Sequence, residues 1–371
     1  MKHLFDMKIL MTADAVGGVW TYATTLCSAL AENGADVYLV TLGPKPRADQ
    51  RTALGDSGVK LIETDLALEW QDPDGNDLPA ARRCLADLER RIRPDIVHLN
   101  SFREANFEWQ ASVVLAAHSC VNSWARACDD TDWLCDPQWQ HYTRLAVQGL
   151  NSARVWVSPT AAFRDVVHEI YRPATPGHVV WNGIGPSAPS LPEKSAFILA
   201  AGRMWDAAKN LRTLAEAARE LAWPVLVAGP GAIEEPVGGV LLGNLTRTEL
   251  QKRMQRAAVF ASPALYEPFG LSVLEAAAAG CALVLSEIAT FRELWTGAAI
   301  FVDPTDRGAL HDALAEMCAD DRRRAQLQRA ARERSHRYSI ARMVDAYATI
   351  YQDLLASGQA ASHPLAAEVC A

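Results

Sequence analysis

Two carboxylates flank a predicted turn in the second half of the chain and could both bind hydroxyl groups: Glu267 and Glu275. Between them, Pro268 has no amide hydrogen and Gly270 tolerates any φ, so we expect a bend whose N–H groups point outward. A helix is predicted over residues 272–279, because these are strong helix formers. Helix N-termini attract anions. The expected ligand therefore carries an anionic group and has a hydroxylated group at each of its two ends, as a nucleotide sugar does.

Two cations and a pair of glycines could bind the anion of such a ligand. Arg203 and Lys209 lie on either side of a loop after a predicted strand; a guanidinium binds phosphate in a bidentate manner, and an ammonium adds a second charge. Gly17 and Gly18 follow another predicted strand, where a backbone without Cβ atoms can approach a phosphate or a sugar. Taken alone, the two cations also fit a solvated surface, and the two glycines also fit a tight strand-to-helix turn.

Short apolar strands alternate with helical segments along the whole chain, which predicts an α/β fold with parallel sheets. In the first half, strands are predicted at residues 8–11, 36–41, 96–99, 113–117 and 155–158, and helices at 21–33, 78–92 and 138–152. In the second half, strands are predicted at 197–201, 225–228, 240–242, 259–261 and 282–285, and helices at 211–221, 248–256 and 272–279. Two such sheets facing each other would place their strand ends around one cleft, where ligands bind.

The chain length of 371 residues suggests two domains. Prolines that suit a hinge cluster between the two halves: Pro173, Pro176, Pro186, Pro189 and Pro192. We predict a first domain over residues 1–175 that binds the acceptor and a second over 176–335 that binds the nucleotide sugar. Residues 336–371 are expected to form a final helix and a tail.

The segment Glu-Pro-Phe-Gly-Leu-Ser-Val-Leu-Glu-Ala, which contains Glu267 and Glu275, resembles the two-glutamate signature of the retaining, family-four GT-B glycosyltransferases. Further matches are a Gly-Arg…Lys phosphate clamp, an interdomain element, a glycine turn and a histidine that follows a strand: Gly202-Arg203 with Lys209-Asn210, Trp181-Asn182-Gly183-Ile184, Gly17-Gly18-Val19 and His118. The resemblance covers most of the chain. Two departures are Cys281-Ala282, where members often have Thr-Pro, and residues 120–140, which have no general counterpart.

The resemblance implies two Rossmann-like domains around a central cleft, a last helix that crosses back to the first domain, and a retaining, metal-independent hexosyltransferase. A sugar would move from a nucleoside diphosphate sugar, UDP-linked rather than GDP-linked, to an acceptor hydroxyl of a small molecule, a glycan or a lipid-linked glycan. No cofactor and no metal are expected.

The resemblance implies that individual residues bind different parts of the donor. Arg203 and Lys209 would hold the leaving diphosphate, and Glu275 the ribose. Glu267 and the amides of Phe269, Gly270 and Leu271 would hold the sugar. Residues expected to contact the donor elsewhere are Gly17, Gly18, Asn182, Gly243 and Leu245, the last two beside the nucleobase. His118 would polarise the donor sugar or orient the acceptor, without acting as a general base.

Composition limits the remaining function classes. The net charge of −8 argues against nucleic-acid binding, which normally requires a basic excess. No apolar run approaches the roughly 20 residues that span a bilayer, and residues 1–10 lead into a strand without the layout of a secretory signal. A cytoplasmic location is therefore expected. The basic helix with Arg82, Arg83, Arg90, Arg91 and Arg93 favours a solvated surface, with weak contact to the inner membrane face as the alternative.

Aromatic residues concentrate around residues 102–139, where they could form a wall for the acceptor or pack in a core: Phe102, Phe107, Trp109, Trp124, Trp133 and Trp139. Residues 120–140 are expected to form a loop over the acceptor side. The cysteines at positions 120, 128 and 135 lack the close spacing of zinc sites and are expected to be reduced thiols.

Three other functions stay open at this point. A sugar-nucleotide epimerase or phosphorylase could use the same architecture, and a catalytically silent nucleotide-sugar binder could retain the same motifs. A nicotinamide-dependent oxidoreductase fits less well, because Gly17-Gly18 is not the three-glycine dinucleotide fingerprint.

Overall fold

The computed structural model describes residues 6–186, 190–231 and 239–361, with side chains as far as residue 357, and contains two parallel sheets. The first sheet has the order β3-β2-β1-β4-β5-β6-β7. Its strands are β1 (Lys8–Asp14), β2 (Asp36–Leu42), β3 (Lys60–Glu63), β4 (Ile96–Leu99), β5 (Ser112–Ala116), β6 (Val155–Ser158) and β7 (His178–Val179). The second sheet has the order β10-β9-β8-β11-β12-β13. Its strands are β8 (Ser195–Ala201), β9 (Val225–Ala228), β10 (Gly239–Gly243), β11 (Ala257–Ser262), β12 (Ala282–Ser286) and β13 (Ala299–Val302).

Helices connect successive strands and cover both sheets. Those of the first half are α1 (Gly18–Glu32), α2 (Ala48–Leu54), α3 (Leu78–Ile92), α4 (Val121–Ala127), α5 (Pro137–Ser152) and α6 (Ala161–Tyr171). Those of the second half are α7 (Leu211–Ala217), α8 (Arg247–Arg256), α9 (Leu271–Ala278), α10 (Ala289–Trp295), α11 (Arg307–Ala319), α12 (Asp321–Ser335) and α13 (Ile340–Ala361). This arrangement confirms the predicted fold of two doubly wound, Rossmann-like α/β units.

Both sheets reverse their strand order next to their first strand, between β1 and β4 and between β8 and β11. Open parallel sheets bind ligands outside the carboxyl ends of the strands at this switch point. The loop after β1 carries the glycine pair, the loop after β8 carries Arg203, and the loop after β11 carries Glu267. The topology therefore gathers residues that are far apart in sequence.

The last helix, α13, packs on the first domain rather than on the second. Its residues Met343, Val344, Tyr347, Tyr351 and Leu354 belong to the same apolar core as β1 and α1. Two buried hydrogen bonds anchor it: the Tyr22 hydroxyl donates to the Tyr347 hydroxyl at 2.7 Å, and the Tyr351 hydroxyl lies 2.6 Å from His98 Nδ1. The helix thus ties the two ends of the chain together.

The interdomain connection is held against the segment that enters α13. The Ile184 N–H donates to the Tyr338 carbonyl at 3.0 Å, and the Ile340 N–H donates to the Ile184 carbonyl at 3.1 Å. A Cβ atom on Gly183 would lie 2.5 Å from the Ser339 carbonyl oxygen, so only glycine fits this close crossing of two chain segments. Pro189, one of the predicted hinge prolines, lies outside the described residues.

Several predicted elements require correction. Residues 120–140 form α4, a 3-10 turn at Asp132–Cys135 and the start of α5, not a loop. Three strands were missed: β3, β7 and β13 lie at the sheet edges and, apart from Val302, are not fully buried, so they lack the continuous buried run that marks the central strands. On α3 and at its C-cap the arginines at 82, 83, 90, 91 and 93 are exposed, while Leu85 and Leu88 are buried in the core. Among the described helices, none is both long and apolar enough to cross a bilayer.

Candidate active site

Arg203 reaches from the second domain across the cleft to the glycine turn of the first. A Cβ atom on Gly17 would lie 3.0 Å from Arg203 Nη1. The opposite side of the guanidinium is fixed, because Nη2 donates to Asp206 Oδ2 at 2.6 Å. Nε is buried, and neither Nε nor Nη1 has a hydrogen-bond partner among the described residues. Within the described part of the chain, Nη1 of Arg203 therefore faces the glycine turn unpaired, and Nε is buried without a partner.

Lys209 lies on the same side of the cleft at the end of a 3-10 turn, Ala207–Lys209. Its Nζ is 2.6 Å from Glu267 Oε2, and both side chains are largely buried, with 20% and 17% exposed. A cation from the loop after β8 thus meets a carboxylate from the loop after β11. The pair lies at the switch point of the second sheet.

Glu267 also organises its own loop. Its Oε1 accepts from the Gly270 N–H at 3.2 Å, and its carbonyl accepts from the Thr290 hydroxyl at 2.7 Å. Gly270 has φ +85°, a conformation that favours glycine, and caps α9, which begins at Leu271. The expectation that all the loop N–H groups point outward is wrong for Gly270, whose amide binds Glu267.

Glu275 lies one turn into α9 and is paired with a residue that sequence reasoning had not singled out. Arg247 Nη2 donates to Glu275 Oε1 at 3.1 Å. Burial raises the pKa of Glu275, and the Arg247 charge and hydrogen bond oppose that rise. Both side chains line a cavity of about 600 Å³ between α1 of the first domain and helices α8 and α9 of the second. This cavity borders the carboxylate that was assigned to the ribose.

His118 lies at the carboxyl end of β5 and is held by Asn100, which follows β4. Asn100 Nδ2 donates to the Thr12 carbonyl at 2.5 Å, so its Oδ1 is the atom 2.7 Å from His118 Nε2. A carbonyl oxygen can only accept, hence Nε2 carries the proton and Nδ1 is left as an acceptor. Burial lowers the pKa of His118 to about 3. The imidazole is neutral and can accept a hydrogen bond from a hydroxyl group.

The other predicted donor contacts differ in how accessible they are. Gly243 ends β10 with φ +68° and open space around its Cβ position, and Leu245 is half-buried beyond it. Asn182 is buried in the interdomain connection. The Phe269 side chain is buried, 6.0 Å from the Tyr338 ring between centroids, so only its backbone could reach a sugar. Leu271 lies 3.7 Å from the Cβ position of Gly18, across the cleft.

Three of the tryptophans expected in an acceptor wall form a row. Between ring centroids, Trp124 is 6.4 Å from Trp133, which is 4.9 Å from Trp139, and all three are half-buried. Trp109 is not part of this row, because it stacks on Phe107 and its Nε1 donates to the Glu104 carbonyl within the first domain. Phe102 is buried in the core.

Sequence reasoning missed two residues around the clamp, Asp14 and Asp206, and placed Trp124 only in an acceptor wall or a core. Asp14 ends β1; burial raises its pKa, while the Val16 N–H and the charge of Arg203 oppose the rise. Asp206 binds Arg203, and Trp124 Nε1 donates to Asp206 Oδ1 at 3.0 Å from the other domain. Asp14 and Asp206 lie within three residues of recognised motifs, so proximity in sequence could have identified them. Nothing in the sequence pairs Trp124 with Asp206.

Comparison with known protein families shows the family to which the chain belongs. The family model described as Glycosyltransferase Family 4 matches residues 16–188, and that described as Glycosyl transferases group 1 matches residues 186–334. The chain belongs to the family-four GT-B glycosyltransferases. The expected family and the expected enzyme class, a glycosyltransferase, are thereby confirmed, and the activity of this protein is glycosyl transfer from a nucleotide sugar.

Full-length relatives agree with this family. The glycosyltransferase is 25% identical to the glycogen synthase of Mycobacterium tuberculosis (strain CDC 1551 / Oshkosh), over 88% of this chain and 90% of the relative. Its fold is similar to that of sucrose-phosphate synthase from Thermosynechococcus elongatus, with a TM-score of 0.75, 17% identity and coverage of 95% and 100%. It is also similar to Anabaena HepE, solved in complex with UDP and glucose, with a TM-score of 0.70, 15% identity and coverage of 94% and 100%.

Proposed function

We propose that this glycosyltransferase moves a sugar from a UDP-sugar to an acceptor hydroxyl, with retention of the anomeric configuration and without a metal ion. The observation that carries the proposal is the position of Arg203 and Lys209. They lie on one side of the cleft at the switch point of the second sheet, and Arg203 faces the glycine turn of the first domain with its Nη1, which is unpaired among the described residues.

These cations suit a departing diphosphate. As the bond to the sugar breaks, negative charge develops on the leaving oxygen, and preorganised donors that stabilise such charge are the strongest electrostatic aid an enzyme can provide. In the proposed complex, Arg203 Nη1 donates to a phosphate oxygen and Lys209 Nζ adds a second charge. Fixed protein cations would take the role that a divalent ion has in other transferases.

The remaining residues would fix the two ends of the donor. Glu275 Oε2, the oxygen not bound by Arg247, would accept from a ribose hydroxyl in the neighbouring cavity. Glu267, oriented by Lys209 and the Gly270 amide, would accept from hydroxyls of the transferred sugar. Gly243 and Leu245 would contact the base. The acceptor would attack from the face on which the diphosphate leaves, with a donor phosphate oxygen taking its proton.

The first domain would bind the acceptor and orient its hydroxyl group. His118 Nδ1 can orient a hydroxyl group by accepting from it, and its low pKa makes it a poor proton acceptor during turnover. A uridine donor is proposed because Anabaena HepE, which shares the fold, was solved with UDP and glucose. A hydroxylated small molecule, glycan or lipid-linked glycan is the proposed acceptor class.

The proposal is tested by incubating the purified protein with UDP- and GDP-sugars in the presence of EDTA. We expect one UDP-sugar to raise the melting temperature and to be hydrolysed slowly. Proton NMR of the first product formed with an acceptor should show the anomeric configuration of the donor. Inverted product would refute retention, and loss of activity on adding EDTA would refute metal independence. Conversion of the donor to an isomeric nucleotide sugar without acceptor would favour an epimerase.

A further inference from the structure

Asp206 is a buried junction between the clamp and the first domain. Its Oδ2 accepts from Arg203 Nη2 at 2.6 Å, and its Oδ1 accepts from Trp124 Nε1 at 3.0 Å and from the Ala208 N–H at 3.1 Å. Its side chain is only 4% exposed. The Ala208 contact caps the 3-10 turn that ends at Lys209. One carboxylate therefore fixes both the guanidinium of Arg203 and the turn that presents Lys209.

The hydrogen bond from Trp124 crosses between the two domains. Trp124 lies on α4, which follows β5 of the first sheet, whereas Asp206 follows β8 of the second. Next to Trp124, the Ser123 and Tyr266 hydroxyls are 2.7 Å apart, and the Cys120 N–H donates to the Tyr266 hydroxyl at 3.3 Å. Tyr266 directly precedes Glu267. Helix α4 thus contacts both loops of the second domain that carry the clamp.

These contacts exist only while the two domains lie against each other at α4. If the cleft opens there, Asp206 loses the indole donor, and its buried oxygen is exposed to water. Water can then compete for the carboxylate that orients Arg203, so the guanidinium gains freedom. A bound diphosphate would have to fix it again, at a cost in side-chain entropy.

We propose that the Trp124–Asp206 hydrogen bond couples closure of the cleft to the orientation of Arg203 and Lys209. Trp124 and Asp206 are positioning residues for glycosyl transfer, since they act on the diphosphate through the two cations. This inference rests on the proposed function and deepens it. It also gives a role to α4, which lies in the segment that was expected to form a loop.

The test compares Trp124→Phe, which removes the indole N–H, with Trp109→Phe as a matched control. Trp109 Nε1 also makes one hydrogen bond, 2.9 Å from the Glu104 carbonyl, but within the first domain. Calorimetry would give the Kd of each variant for UDP and for uridine, which lacks the diphosphate. GDP and guanosine replace them if the wild type prefers guanine.

Trp124→Phe should lower the affinity for UDP about tenfold, because one hydrogen bond to a charged group is lost. The affinity for uridine should stay within about twofold of the wild-type value. Trp109→Phe should change neither affinity. Combining Trp124→Phe with Asp206→Asn should add little to the loss from Asp206→Asn alone. An unchanged UDP affinity, or an equal loss for uridine, would overturn the coupling while the proposed function stands. If wild-type protein binds UDP no more tightly than uridine, the diphosphate clamp itself is wrong, and the proposed function fails with it.

Discussion

The close approach of the two domains at Gly17 predicts the effect of a single methyl group. In Gly17→Ala the new Cβ would lie 3.0 Å from Arg203 Nη1, closer than the 3.4 Å at which ordinary contacts begin. The guanidinium must retreat by about 0.4 Å, and its bond to Asp206 limits the direction it can take. The atom that moves is the end of a flexible side chain, so the fold itself should not be strained.

The expected loss follows from the contact that is disturbed. A hydrogen bond to a charged group contributes about 1.5–3 kcal/mol, and a displaced guanidinium should lose roughly half of that toward a phosphate. The affinity for UDP should therefore fall about tenfold, the equivalent of about 1.4 kcal/mol. The melting temperature should stay within a few degrees of the wild type, because the atom that must move is the end of a flexible side chain.

A double-mutant cycle with Arg203→Ala separates the possible causes. Calorimetric Kd values for UDP would be measured for the wild type, Gly17→Ala, Arg203→Ala and the double variant. Since Gly17→Ala is expected to act through Arg203, it should have almost no effect once Arg203 has been replaced. A tenfold loss that persists in the Arg203→Ala background would refute this reasoning and show that the donor itself needs the space at Gly17. A large drop in melting temperature would refute it as well.

Three further predictions concern the clamp, the buried histidine and the crossing helix. Lys209→Met should lower kcat by a factor of about 10² to 10³, which is the effect of removing one preorganised stabilising donor. Its melting temperature should stay within a few degrees of the wild type, and an unchanged kcat would contradict the role of Lys209. Burial, with a smaller electrostatic effect of the neighbouring His118, lowers the pKa of His98 to about 3, so the folded state disfavours a proton that the unfolded state binds below about pH 6.5. Stability should thus fall as the pH drops, by up to about 2 kcal/mol from this residue at pH 5, and urea denaturation of His98→Gln should show a smaller fall than the wild type. Tyr351→Phe leaves His98 Nδ1 without its partner at 2.6 Å and should lower the free energy of unfolding by about 1–3 kcal/mol in the same assay. The control Tyr38→Phe should lower it less, because the Tyr38 hydroxyl lies near the surface. Equal losses would contradict the anchoring role of α13.

The sequence predicted the fold class because the main signals are local. β4, β6 and β9 match their predicted bounds residue for residue, since each is a short, mostly apolar and mostly buried run. The two switch points follow from strand order, which chain alternation alone does not specify. The short strands β3, β7 and β13 escaped prediction because their pairing is decided by neighbouring strands.

The motif residues of the site were predicted but their partners were not, for a related reason. Arg203, Lys209 and Glu267 were recognised because each belongs to a local motif, and the structure brings them to one end of the second sheet. What the sequence does not contain is the set of partners: Arg247 at Glu275, Asn100 at His118 and Trp124 at Asp206 are 28, 18 and 82 residues apart from the groups they bind. Such pairs depend on the relative placement of strands and domains, which local patterns do not record.

The most direct test of the account is a titration of UDP into the wild type and into the Arg203→Ala, Lys209→Met double variant, each with EDTA and with added Mg²⁺. If protein cations hold the diphosphate, wild-type affinity should be the same in both conditions, and the double variant should bind UDP at least about a hundredfold more weakly, while its affinity for uridine is unchanged. Equal UDP affinity of the two proteins in EDTA, or binding by the wild type that requires Mg²⁺, would contradict the central claim.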